Sequence, residues 1–250
     1  MLTAAAWSPP YDREMVSRFS EPSEVNPSSG DLVLMRLLDS DEDGAETTEI
    51  PALVRALRRR HSGCPVVLWI PDSPPQVVID SVRAAGEMQV RGILGTTHPD
   101  PLMLRQQLTD PAGLSAFVLR WAVHAGYLPG GADPVDLHEF LDVQPGVRTL
   151  NRLARQQKAA GRTWRSRLQQ LGLPNPHAWF CLAHALHVAF HLQRHSTQSL
   201  QTLSEGLGMR NPAELSQKLK RVFGLPPGEV RQLLGAEPLL QRWFQARLQR

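Results

Sequence analysis

The sequence predicts a two-domain chain, with an α/β domain in front and an all-α domain behind. Three observations lead to that expectation. Through residue 112, short apolar runs without polar alternation are interleaved with amphipathic stretches, the pattern of a parallel sheet covered on both faces. From about Val147 onward strand signals vanish and short helices follow one another. The charge inverts between the same regions: residues 1–146 carry 11 Lys and Arg against 20 Asp and Glu, a net −9, and residues 147–250 carry 16 against 4, a net +12.

Residues 1–30, rich in Pro and Ser, are expected to form a partly ordered arm with one short amphipathic piece from Tyr11 to Phe19. "DLVLMRLL" (31–38) predicts a buried strand, and "DSDEDGAETTE" (39–49) an acidic loop. "IPALVRALRRRH" (50–61) predicts an amphipathic helix started by Pro51. The cycle repeats with a strand at 64–70, a helix at 74–86, a short strand at 90–94 and a helix from Pro101 to Leu108. A helix over 113–127 and a linker at "LPGGADPVDL" (128–137) form a connecting region, 113–146, between a front domain at 1–112 and a back domain at 147–250. Helices are predicted there at about 148–157, 162–171, 176–194, 199–206, 212–222, 227–234 and 237–249.

At 250 residues the chain is long enough for two cores, and its 42% hydrophobic and 20% charged content is that of a globular protein. No window approaches 18 consecutive apolar residues and no signal-peptide pattern opens the chain, so a cytoplasmic protein without a membrane partner is expected. Cys64 and Cys181 lack the spacing of a zinc site or a disulfide framework and are expected in the core. There is no Gly-x-Ser-x-Gly, no phosphate-cradling glycine loop and no His-Glu-x-x-His, so a non-enzymatic role without a cofactor is expected.

A half at +12 gains free energy by displacing the counterions condensed on DNA. Its helices carry a motif. "LSEGLGMRNPAELSQKLKRVFGLPPGEVR" (203–231) resembles the second helix-turn-helix of the arabinose-regulator (AraC/XylS) family of bacterial transcription factors: Gly208 in the turn, Met209 at an aromatic position, Leu215 and Leu219 in the recognition helix, Phe223-Gly224, then Pro227, Val230 and Arg231. "TLNRLARQQKAAGRTWRSRLQQLGLPNPHAWF" (149–180) resembles the first, through Leu153, Ala154, Trp164, Leu168, Gly172 and Trp179, with "KAAG" in place of the family's turn. The resemblance covers about 148–234 and implies an all-α double helix-turn-helix that binds double-stranded DNA.

The side chains between the buried positions supply the chemistry. With Trp164 and Leu168 inward, Arg162, Arg165, Ser166 and Gln169 point outward, and arginine can bond guanine O6 and N7 in a fork. On the second helix Ala213, Glu214, Ser216 and Gln217 match the family's reading face, Gln217 suited to adenine and Glu214 to cytosine. Thr163, Arg167, Arg210, Asn211, Lys218, Lys220 and Arg221 are the phosphate candidates. The first helix, with the better reading chemistry, is expected to dominate specificity.

The front half, over about 31–112, resembles the receiver domain of bacterial response regulators. Its phosphoacceptor position falls on Arg36, the switch hydroxyl at about Ile70 and the lysine near Thr96, and no lysine occurs from residue 1 to 146. The acidic pair that holds magnesium would follow a first strand that only "LTAAAW" could supply, and it is missing. Without nucleophile, metal ligands and lysine, phosphoryl transfer cannot run. The resemblance therefore implies a degenerate, non-phosphorylated domain that works by homodimerisation or by binding a partner or ligand. Asp39, Asp41, Glu42 and Asp43 lack the glycine and terminal glutamate of a calcium loop and read as solvated.

On the long helix, His184, His187, His191 and His195 share one face, opposite Leu182, Leu186 and Phe190. Imidazoles at this spacing can share a metal ion, but no carboxylate stands nearby to orient them, so a wet stripe with no metal is the expectation. The function expected is a sequence-specific transcription regulator. The alternatives are an interaction module that binds DNA without sequence preference, and a metal or small-ligand sensor using the histidine stripe.

Overall fold

The structure, a computed structural model, describes residues 2–8, 13–19, 32–36, 49–69, 90–94, 101–128, 135–142, 147, 149–157 and 161–248. The predicted helix at 74–86, most of the acidic loop, and the positions of Ile70 and Thr96 lie outside them.

The front half is a five-stranded mixed sheet of order β2-β1-β3-β4-β5. Its centre is parallel as predicted: β3 (Leu32–Arg36) pairs with β4 (Val66–Trp69), and β4 with β5 (Gly92–Leu94), with Leu34 opposite Val67 and Leu68 opposite Ile93. β3 and β4 are joined over the sheet by α1 (Glu49–Arg60), whose Val54 and Leu57 pack on Val33, Met35, Val66 and Leu68. The opposite face, Leu32, Leu34 and Val67, is covered by Leu104 and Leu108 of α2 (Pro101–Leu108) and by Leu234 from the far end of the chain. Burial on both faces explains the lack of polar alternation, each such side chain contributing roughly 1.5–3 kcal/mol.

The amino-terminal segment differs from expectation. In place of a partly ordered arm with a short amphipathic piece, β1 (Leu2–Ser8) and β2 (Arg13–Phe19) form an antiparallel hairpin, and β1 also pairs antiparallel with β3, Ala5 opposite Leu34. Three alanines in β1 and the mixed polarity of β2 carry little strand propensity; pairing of β1 with the apolar β3, and of β2 with β1, overrides it. "LTAAAW" is thus a strand, but its direction departs from the wholly parallel sheet that the receiver resemblance implies. Arg36 ends β3, opposite Trp69 and Thr3.

The remaining helices form one body around α7 (Pro176–Arg194), a 19-residue helix buried along most of its circumference. Asn175 starts it by accepting from the Ala178 N–H at 3.0 Å, with Pro176 at the first helical position. The end of the segment expected as a linker is helical, from Val135 onward. α3 (Leu114–His124) and α4 (Val135–Leu141) belong to the same apolar cluster as α7, with Leu137, Phe140 and Leu141 buried at 1% exposure or less. The Phe140 ring meets the Trp164 edge at 4.8 Å, so α4 supplies core to the first helical pair.

Sheet and helical body are joined by specific contacts. The Trp121 indole donates to the Ser62 carbonyl at 2.8 Å, Arg105 to the Gln193 carbonyl at 2.7 Å, and Arg194 to the Thr109 carbonyl at 3.0 Å. Between them, Glu237 at the head of α11 (Glu237–Leu248) is fully buried, 3.9 Å from Arg91. Burial holds the guanidinium pKa values of both Arg58 and Arg91 below their ordinary value, against the pull of Glu237. Arg91 also lies over the Phe117 ring at 4.1 Å.

Candidate nucleic-acid interface

Two helix pairs lean on α7. The first is α5 (Leu150–Gln156) and α6 (Gly161–Gln170); the second is α8 (Leu200–Gly206) and α9 (Pro212–Phe223), closed by α10 (Pro227–Gln232). Local chemistry sets their limits. Thr149 caps α5 by accepting from Arg152 N–H, and Ser199 caps α8 by accepting from Thr202 N–H at 3.1 Å. At the end of α8 the Met209 N–H bonds the Ser204 carbonyl and the Gly208 N–H the Glu205 carbonyl, a closure that needs the left-handed φ of 65° at Gly208. Gly172, φ 66°, closes α6 in the same way, with the Leu173 N–H on the Leu168 carbonyl at 2.8 Å. Ser204 is buried, and its hydroxyl is satisfied by the Gln201 carbonyl.

On α6, Trp164 and Leu168 are each 1% exposed and face the core, while Thr163, Arg165, Ser166, Arg167 and Gln169 are exposed. Arg162 lies in the first turn of α6, and its side chain is outside the described residues. On α9, Leu215 and Leu219 are fully buried, and Ala213, Glu214, Gln217, Lys220 and Arg221 are exposed. The alternation follows from apolar side chains at i and i+4 seated against α7, which leaves the intervening positions outward.

Three of the candidates on α9 already have work within the protein. Asn211 Oδ1 accepts from the Glu214 N–H at 2.9 Å, and the Glu214 carboxylate accepts from the Arg210 N–H at 2.9 Å, a reciprocal cap around the helix start. The Ser216 hydroxyl donates to the Pro212 carbonyl one turn back. Lys218 is half-buried along α7, close enough to bear on the Cys181 thiol and the His184 imidazole. Gln217, Lys220, Arg221 and Arg210 retain outward faces. Arg231, which the family pattern singles out, donates to the Gln198 carbonyl and ties α10 to the loop before α8.

The histidine stripe is not the wet row expected. His184 is half-buried, edge-on to Phe180 with centroids 4.6 Å apart, and its Nε2 is buried without a hydrogen-bond partner. Burial, aided by Lys218, pushes its pKa down to about 4, while a hydrogen bond to the backbone at Val147 acts in the opposite sense. His191 is exposed and stacks on His195 at 6.1 Å, its pKa lowered by partial burial and by His195 and Arg194. Among the described residues no three His, Cys, Asp or Glu side chains converge to hold a metal. Cys64 is in the core as expected; Cys181 is only half-buried, its Sγ 3.7 Å from the His177 ring, with burial raising the thiol pKa.

The fold and surface define a small mixed sheet joined to a helical body that presents two capped helix pairs with polar outer faces. No helix among the described residues is long and apolar enough to cross a membrane. Comparison with protein-family models, curated proteins and solved structures finds no match.

Proposed function

We propose that this chain is a sequence-specific regulator of transcription of the arabinose-regulator type, whose α6 and α9 enter the major groove of duplex DNA. The observation that carries the proposal is the division of α6: Trp164 and Leu168 fully inward, Arg165, Ser166, Arg167 and Gln169 outward, on a helix that, like α5, packs on α7. Its counterpart on α9 rests on the same central helix. The +12 charge of residues 147–250 supports phosphate attraction over the whole region.

Roles divide between the helices. α6 reads bases, through Arg165 and Gln169, with Arg162 at the helix start. α9 reads through Gln217, while Lys220, Arg221 and Arg210 meet phosphates. Glu214, Asn211 and Ser216 position α9, because their polar groups already bond its own backbone. The front sheet governs activity through a partner, a ligand or a second copy and not through phosphorylation, since Arg36 stands where a carboxylate nucleophile would be required.

Arg165→Ala is expected to relax base preference at one position, costing about 1–3 kcal/mol of discrimination. Lys220→Ala is expected to weaken all sequences alike and reduce the slope of log affinity against log salt by about one. Binding assays on matched and mismatched duplexes separate the two; the same profile for both variants would remove the assignment of base and phosphate roles.

A further inference from the structure

The front half is acidic overall, yet four of the last six residues of α1 are arginines: Arg55, Arg58, Arg59 and Arg60. Arg58 turns inward toward Glu237. Arg55 and Arg59, one turn apart, turn outward and line a cleft of about 360 Å³ whose other wall is Val123, His124, Ala125 and Gly126 at the end of α3.

Neither Arg55 nor Arg59 is ion-paired with a carboxylate among the described residues. The end of α3 offers them little, because the carbonyls of Trp121, Ala122 and Val123 already accept from residues 125–128 through the turn at Gly126. Two outward guanidinium groups, an imidazole and a concave wall form a recess with donors and, among the described residues, no matching carboxylate. Planar guanidinium forks fit tetrahedral oxyanions in bidentate fashion, and a recess of this size accommodates an organic body beside the anionic group.

We propose that the cleft between α1 and α3 binds a small ligand bearing a phosphate- or sulfate-type dianion, held by Arg55 and Arg59 with His124 as the third donor. The site lies where α1 of the front half meets α3 of the helical body and does not depend on the DNA reading. Among the described residues the charged groups that bear on His124 are all positive, Arg55, Arg58 and Arg59 from α1 and Arg120 from its own helix; partial burial, reinforced by these charges, keeps its pKa below the ordinary value. A bound dianion reverses that field, so binding takes up a proton and strengthens as pH falls.

Isothermal titration of the full chain at low ionic strength, with sulfate and with glycerol 2-phosphate as separate probes, tests the site. A single saturable site is expected for at least one probe, weakened about tenfold or more in the Arg55→Gln, Arg59→Gln double variant and unchanged in an Arg152→Gln, Arg155→Gln control on α5. Tighter binding of glycerol 2-phosphate identifies a phosphomonoester ligand, and equal binding a free oxyanion. Sulfate, which does not titrate in this range, should bind more tightly at pH 6 than at pH 8 in the wild type, with the dependence lost in His124→Gln. Absence of saturable heat, equal weakening in both arginine pairs, or a pH-independent wild type would overturn the proposal. The His124→Gln titration decides the matter should the double variant fail to fold.

Discussion

Glu237 is fully buried at the head of α11, 3.9 Å from Arg91 and within the field of Arg58, so three charged groups share a low-dielectric seam between sheet and helical body. Breaking such a set by removing one partner leaves uncompensated charge in the interior. Glu237→Gln is therefore expected to cost about 3 kcal/mol in urea unfolding; a loss under about 1 kcal/mol would mean that water screens the seam. His184 makes a second residue-level prediction. Its pKa is pushed from 6.5 to about 4, chiefly by burial, so the unfolded chain takes up a proton near pH 6.5 while the folded chain does not. Its contribution is intact above pH 6.5 and erodes as pH falls toward 4, by about 1–2 kcal/mol after allowance for partial exposure. Unfolding at pH 7 and pH 5 should show a smaller acid loss in His184→Gln than in the wild type, and equal losses would contradict the burial of the imidazole.

At the scale of elements, α9 depends on its cap. Asn211→Ala removes the acceptor for the Glu214 N–H and is expected to cost about 1 kcal/mol, measured by thermal unfolding. That helix was legible because its limits are written in strong local signals: Asn211-Pro212 to start, Leu215, Leu219 and Val222 at helical spacing, Gly224 at φ 74° to stop. α7 was legible for the same reason, through Asn175-Pro176. The outward face of α6 could be read from Trp164 and Leu168 alone. The hairpin β1-β2 could not, since β1 is placed by pairing with β3 and β2 by pairing with β1, not by their own propensity. α4 was hidden by the "PGG" before it, although Leu137, Phe140 and Leu141 already carried the spacing of a buried helical face. Neither the Glu237 seam nor the arginine cleft was visible, because their members lie far apart in the chain and only the fold joins them.

At the scale of the whole molecule, the halves expected as separate domains are packed together. Leu234 covers the sheet, Arg105 and Arg194 bridge α2 and the end of α7, and Trp121 reaches back to Ser62. A change in the sheet is therefore mechanically linked to the base of the helix that carries both helix pairs. Under the proposed function, that linkage is the route by which the front half would modulate DNA binding. The charge division fits that proposal: an acidic front would repel a polyanion and direct a duplex to the basic helical body.

Selection of bound duplexes from a random pool, followed by affinity measurement over a salt series, tests the central claim most directly. The DNA-binding proposal predicts an enriched site in two parts about one helical turn, roughly 10 base pairs, apart, with affinity falling steeply as salt rises. Recovery of no preferred sequence, or no duplex bound even at low ionic strength, would contradict it.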